Sequence, residues 1–370
     1  MEYLVREWRR LFLCLAIAIT IVGIVVATRT SEWWVLAATV ATLAVHSYQF
    51  AFMRLRLHLN RPEAEQVAVY PDLGPANRLT ILRGFLIAVL FGFVFLPELP
   101  GPLGWLPFVT YFSAIGLDYI DGFIARKTGR YTPLGRELEH EFDSLGVLAA
   151  SVFLVVARVL PAWFILVGVA RYVFIAGEAL QRARGKTMFP LAHSSSGKIL
   201  AGYQMVFLAA ALIPIIPEEM KRIAGSVIAI PFLLGFVRDW LGVTGIVRHT
   251  SDVYARLVSG FNRIAFVIAP RVGRFMPVIA AFTSPLTGIS LYIAVGAGVL
   301  IALGVLGRTI SIALLILVAS VWDVLGEYGP GSTVVLITLS LIGTGAGSLF
   351  APEASWFRKH GDEPPPTVSS

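Results

Sequence analysis

Apolar residues run along this chain in long blocks, at residues 11–27, 34–53, 79–97, 104–125, 144–157, 159–180, 199–216, 223–238, 286–306, 309–326 and 333–350. Most approach the roughly 20 residues that a helix needs to span a bilayer. Backbone groups in lipid must be satisfied within their own segment, so these blocks are helices unless they close a barrel. They lack the alternation that barrel strands require. The expected fold is therefore all-α, a polytopic transmembrane bundle of about eleven crossings. The fifth block is short, and as a crossing it would begin near Phe142 and run to the turn at Pro161.

The polar positions between the blocks are one-sided in charge. With the amino terminus inside, Arg54, Arg56 and Arg61 fall inside, as do Arg126, Lys127, Arg130 and Arg136, and then Arg182, Arg184, Lys186 and Lys198. The outer loops hold little beyond Arg158, Lys221, Arg222 and Arg308. Cytoplasmic loops keep such an excess, which places the amino terminus in the cytoplasm of a multi-pass protein of the cell membrane. Beyond residue 240 the pattern changes, with Arg248, Arg256, Arg263, Arg271 and Arg274 spaced through moderately apolar sequence, as in a cytoplasmic linker or interfacial helix. These shifts predict two anchor helices in residues 1–60, a six-helix core in 70–240, a basic linker in 241–284 and a membrane module in 285–355. A polar tail over 356–370, with Pro364, Pro365 and Pro366, is expected to be disordered.

Composition agrees with a membrane protein: 56% of the 370 residues are hydrophobic and 14% charged, against about 25% charged in soluble domains. The net charge of +7 sits at the ends of apolar blocks, not in a basic stripe interleaved with aromatics, which argues against nucleic acid as a partner. The single cysteine, Cys14, excludes an intrachain disulfide. Arg6, Arg9 and Arg10 precede the first apolar block in the order a signal peptide would show, but the block is long and no small-residue cleavage site follows before Arg29. It is expected to be a retained anchor.

The candidate chemistry lies between the fourth and fifth blocks. Asp118, Tyr119, Ile120, Asp121 and Gly122 close the fourth block, and Ala125 and Arg126 lead into the basic loop. Eight residues separate Arg126 from Gly135, which is followed by Glu139 and Asp143 at steps of four. Steps of three and four return to one helix face, so Asp118 and Asp121 share a face and Glu139 and Asp143 share another. A short loop would make the two helices antiparallel neighbours, and the four carboxylates would converge at the cytoplasmic membrane surface. Such a cluster is repulsive by itself, and hard divalent cations are the usual remedy, Mg²⁺ first and Mn²⁺ second. Gly122 and Gly135 would admit a phosphate and a ribose close to the backbone. Arg126 lies near enough to hold phosphate oxygens. Two metals, a phosphate clamp and a spare carboxylate are equipment for phosphoryl transfer at a lipid surface.

These residues resemble the signature of the CDP-alcohol phosphotransferase family: two aspartates, glycine, alanine-arginine, glycine and two further aspartates, at matching spacing. The resemblance implies that Asp118, Asp121, Glu139 and Asp143 bind two metal ions, with Asp143 also the general base. It implies that Gly122, Arg126 and Thr132 contact the CDP group. The family has aspartate where this chain has Glu139. A frame with Asp143 as the third aspartate would put Val147 at the base position and break the eight-residue spacing.

Asn77, Arg78, Leu79, Thr80 and Arg83 before the third block extend the resemblance, with Asn77 and Thr80 near the cytidine pocket. Gly197, Lys198 and Gln204 open the seventh block, where Lys198 would meet an anionic acceptor or lipid. The resemblance further implies a CDP-alcohol donor, CDP-diacylglycerol above all, an alcohol acceptor, release of CMP, and a homodimer in the bilayer. The rival reading is a catalytically degenerate relative that serves as a lipid-binding membrane scaffold. The last module loosely resembles DoxX-type membrane proteins, in the crossing that ends at Gly307 and Arg308 and in Gly343, Gly345 and Gly347. His140 and His193 are expected as solvated or hydrogen-bonded surface residues, and Glu137 and Glu141 as partners of loop arginines.

Overall fold

The computed structural model describes residues 1–30, 32–62, 68–96, 98–189, 195–246, 292–297 and 299. Eight helices account for most of them: α1 (Glu2–Thr30), α2 (Trp33–Arg56), α3 (Gly74–Phe93), α4 (Leu106–Thr128), α5 (Pro133–Val156), α6 (Ile165–Ala183), α7 (Ser195–Ala211) and α8 (Glu218–Val243). No strand occurs among the described residues. The first eight apolar blocks each fall on one of these helices. Among the described residues, six helices are long and apolar enough to cross a membrane, namely α1, α2, α3, α4, α6 and α8. The chain is a multi-pass membrane protein. The fifth block is the second half of a longer helix, because α5 starts at Pro133 and carries the motif acids in its first half.

Of the expected linker (241–284), only the first residues are described, and of the expected module (285–355) only a short helical piece at 292–297 and residue 299. The tail at 356–370 lies outside the described residues, as do the module's glycines.

Contacts divide the chain into two units. The first comprises Met1–Lys186, Gln204–Pro214 and Phe232–Phe236. It holds α1 to α6 and every described residue of the acidic motif. The second takes in Thr187–Tyr203, Ile215–Pro231 and the chain from Val237 onward. Within it, the Phe189 amide donates to the Val243 carbonyl at 2.9 Å.

In the first unit α1 pairs with α2, α2 packs on α3, α3 packs on both α4 and α5, and α5 packs on α6. The α1–α2 pair is joined by aromatic packing: Phe12 stacks on His46 with ring centroids 5.4 Å apart, and Trp8 Nε1 donates to the Phe50 carbonyl at 3.0 Å. The expected anchor helices thus belong to the same unit as the core.

The loop between α4 and α5 has strong local determinants. Gly129 adopts φ +62°, a left-handed conformation that suits glycine, and its amide reaches back to the carbonyls of Ala125 and Arg126. Thr132 then caps α5, its hydroxyl accepting from the Gly135 amide at 3.0 Å, and Pro133 occupies the first turn. Yet α4 and α5 touch each other at few points. The expectation of two adjacent helices is corrected here: α3 packs extensively on both, and the acids of α4 and α5 meet across it. Close approach of α3 to α5 depends on Gly84, where an added Cβ would lie 2.6 Å from the Phe142 ring.

Candidate active site

The site is built on three helices. From α4 comes Asp118, and from α5 come Glu139 and Asp143; one carboxylate oxygen of each lies within 4.8 Å of the others. α3 contributes Arg83, which is 2% exposed. Its guanidinium pairs with Asp118, lies 3.4 Å from Asp143 Oδ1, and reaches the Glu139 backbone carbonyl at 3.4 Å. An arginine inside a membrane helix needs such partners, because an unpaired charge there is costly. Asp121 is one turn further along α4 and outside that tight triad. It is buried and accepts from the Thr80 hydroxyl of α3 at 2.8 Å.

The donor chemistry fits a hard divalent cation: three carboxylates in mutual reach, a fourth nearby, and no sulfur or imidazole in the group. Electrostatics point the same way. Among the described residues one guanidinium stands against the three carboxylates of the triad and the nearby Asp121, a formal charge of −3 if all are ionised. Against the triad is a small cavity, with room for about one water, lined by Arg83, Tyr111, Asp118, Asp143 and Met205 among others. Arg83 Nε and the buried Tyr111 hydroxyl, both from residues on its wall, have no hydrogen-bond partner among the described groups.

At the start of α3, before Thr80 and Arg83 in the chain, lies a second polar network. Asn77 is buried and donates to the Leu73 carbonyl at 3.0 Å and to Asn60 Oδ1 at 3.3 Å. Asn60 in turn donates to the Asp72 carbonyl at 2.9 Å. Arg130, from the α4–α5 loop, donates to Asp72 Oδ1 at 2.6 Å and lies over the Tyr70 ring, 4.2 Å from its centroid. That guanidinium holds the Asp72 carboxyl below the usual carboxylate range.

Residues 74–248 match the family model described as CDP-alcohol phosphatidyltransferase. Just under half of the chain is thus similar to that family. Among similar proteins, a cardiolipin synthase (CMP-forming) of Streptomyces coelicolor is 32% identical over 120 residues, covering 32% of this chain and 53% of the relative. A CDP-diacylglycerol--glycerol-3-phosphate 3-phosphatidyltransferase of Bacillus subtilis is 31% identical over 112 residues, 30% of this chain and 57% of the relative. A putative cardiolipin synthase of Mycobacterium tuberculosis is 27% identical over 118 residues, 32% of this chain and 54% of the relative. The chain thus spans about half the length of the curated relatives it matches. No solved structure matches the chain at a significant level.

Within the family-matched segment, the structure brings together Asp118, Glu139 and Asp143 and sets Asp121 beside them on Thr80. Gly135 lies against Asn77, since an added Cβ would sit 2.9 Å from Asn77 Oδ1. Gly122 lies under the Arg126 side chain, with Nη1 3.4 Å from the place of an added Cβ, and Arg126 itself is exposed. Thr132 uses its hydroxyl as the α5 cap. The Lys198 side chain lies outside what the structure describes.

Two functional features were not assigned from sequence. Arg83 belongs to the flanking segment and carries no motif role, although a lone arginine within an apolar block is itself a signal. Glu141 pairs with no arginine among the described residues; it is buried and accepts from Tyr48 Oη at 2.8 Å and from Tyr172 Oη at 3.4 Å. Its place in the buried stripe Leu134, Leu138, Glu141, Leu145 could have revealed this. Glu137, by contrast, does meet an arginine, Arg56 at 3.4 Å. His140 is exposed.

Proposed function

We propose that this protein is a metal-dependent phosphatidyltransferase that moves a phosphatidyl group from CDP-diacylglycerol to an acceptor hydroxyl and releases CMP. The observation that carries this reading is the convergence of Asp118, Glu139 and Asp143 on one point inside the segment that matches the CDP-alcohol phosphatidyltransferase family.

In this scheme Asp118, Asp121, Glu139 and Asp143 would hold Mg²⁺ or Mn²⁺, two ions in all. Such ions, when bound, supply charge stabilisation for the phosphoryl oxygens and the leaving phosphate. Asp143 is the most exposed member of the Arg83 pairings, at 33% against 20% for Asp118, and so the one an acceptor can reach. It takes the proton of the acceptor hydroxyl as that oxygen bonds to the β-phosphorus. The bond from that phosphorus to the bridging oxygen breaks, and its electron pair leaves with CMP. Arg126 lies exposed at the end of α4, free to swing toward a diphosphate; Gly122, Thr132, Asn77 and Thr80 line the approach to the CDP group, and Lys198 meets an anionic acceptor or lipid.

The charge distribution of the loops favours a site on the cytoplasmic side of the cell membrane, and the family resemblance favours a homodimer. The Bacillus subtilis relative, named for transfer to glycerol 3-phosphate, makes that alcohol the acceptor to try first, ahead of inositol phosphate, inositol and serine. The test is CMP release by purified protein from CDP-diacylglycerol with Mg²⁺ and each acceptor, with the lipid product identified by mass spectrometry. CMP formed only when one acceptor is supplied supports the reading and names the acceptor. No CMP with any metal or acceptor would instead favour the scaffold reading.

A further inference from the structure

Residues outside the family-matched segment hold the helices that carry the acidic cluster. On α1, Glu7 accepts from the Leu73 amide at 3.0 Å and from Arg78 Nε at 2.8 Å, so it secures the start of α3. On α2, the Gln49 side-chain amide donates to the Gly84 carbonyl at 2.9 Å, one residue from Arg83. Its neighbour Tyr48 donates to Glu141 Oε1 at 2.8 Å, midway between Glu139 and Asp143. Gln49 is 2% exposed and Glu141 5%.

The physical need for such bonds follows from the solvent. Between helices in lipid, apolar packing has little hydrophobic preference for one rotation or height over another, because lipid tails are as apolar as leucine. Directional hydrogen bonds do have such a preference. Two adjacent residues of one helix here grip α3 beside Arg83 and α5 between two of the acids. The cluster needs α3 and α5 in one register, since Arg83 must face Asp143 while Glu139 and Asp143 face Asp118. A displacement of about 1 Å at a catalytic group can cost two orders of magnitude in rate.

We propose that Tyr48 and Gln49 are positioning residues for the acidic cluster, with α2 setting the register of α3 against α5. The effect on turnover rests on the phosphatidyltransferase reading; the effect on the cluster does not. The test uses the full chain in detergent. Tyr48→Phe and Gln49→Met each remove the donor and keep most of the volume, and Val35→Ala, a buried α2 residue without such a bond, controls for loosened packing. Measured are Mn²⁺ affinity by electron paramagnetic resonance, CMP release and melting temperature. Tyr48→Phe and Gln49→Met are expected to weaken Mn²⁺ binding about tenfold, in the range of supporting partners of metal ligands. They should lower kcat more than they raise KM, with melting temperatures no lower than that of Val35→Ala. Unchanged Mn²⁺ affinity in both variants would overturn the proposal, as would an equal loss in Val35→Ala. A wild type that binds Mn²⁺ but releases no CMP defeats the functional reading alone, and the Mn²⁺ affinities still decide the positioning. A wild type that binds no Mn²⁺ defeats both.

Discussion

Glu141 and Asp143 stand two residues apart on α5, about 200° apart around its axis, and meet opposite surroundings. Glu141 faces α2 and α6, is 5% exposed, and has its charge spread over two tyrosine hydroxyls. Asp143 faces α3 and α4, is 33% exposed, and shares one guanidinium with Asp118 beside Glu139. On the first face the carboxylate has hydroxyl donors and little else to do. On the second, among the described residues, carboxylates outnumber the one guanidinium, which suits the binding of a cation. One helix thus carries a structural acid and candidate catalytic acids, and the neighbours on each side make the difference.

The largest break in that comparison should come from Asp143→Asn. It keeps the shape and removes the base, so CMP release is expected to fall by about 10² to 10⁴ with folding intact. A rate above about a tenth of wild type would show that Asp143 is not the base. Glu139→Ala comes next, with turnover down about a hundredfold or more as a metal ligand is lost. Glu139→Asp should remain active and shift preference from Mn²⁺ toward Mg²⁺, because the shorter side chain suits stricter octahedral placement. Turnover across a metal series reads both, and an Ala variant as active as wild type removes Glu139 from the site.

On the other face, Glu141→Leu should leave the Tyr48 and Tyr172 hydroxyls without an acceptor and destabilise the protein by about 1–3 kcal/mol. Glu141→Gln, which still accepts, should cost less than half of that. Thermal unfolding in detergent measures the two, and equal losses would mean that the hydroxyl contacts are immaterial.

The smallest effect concerns Asp72. Its carboxyl pKa is lowered by the Arg130 hydrogen bonds, so its contribution to stability is present above the unfolded value of about 3.9 and is lost as pH falls through the lower folded value. The pair is partly exposed, 22% for Arg130 and 44% for Asp72, which keeps the contribution within about 1 kcal/mol. Asp72→Asn should therefore unfold slightly below wild type at pH 7, with the gap closing below pH ~4. A gap that persists unchanged in acid would assign the effect to packing instead.

Sequence alone determined where the first eight helices lie, because long apolar blocks have few other ways to satisfy their backbone in lipid. It also determined which acids share a helix face, since Asp118 with Asp121 and Glu139 with Asp143 follow from the helical repeat. The short turn between them is legible too, in Gly129, Thr132 and Pro133. Tertiary structure alone decided that α3 packs on both acid-bearing helices, that Arg83 stands among the acids 35 residues from Asp118, and that Tyr48 reaches Glu141 across 93 residues. Periodicity assigns a residue to a face of its own helix, and it carries no information about which distant helix will cover that face. That choice belongs to the packing of the whole unit, where Gly84 lets α3 close on α5 and α2 supplies the donors.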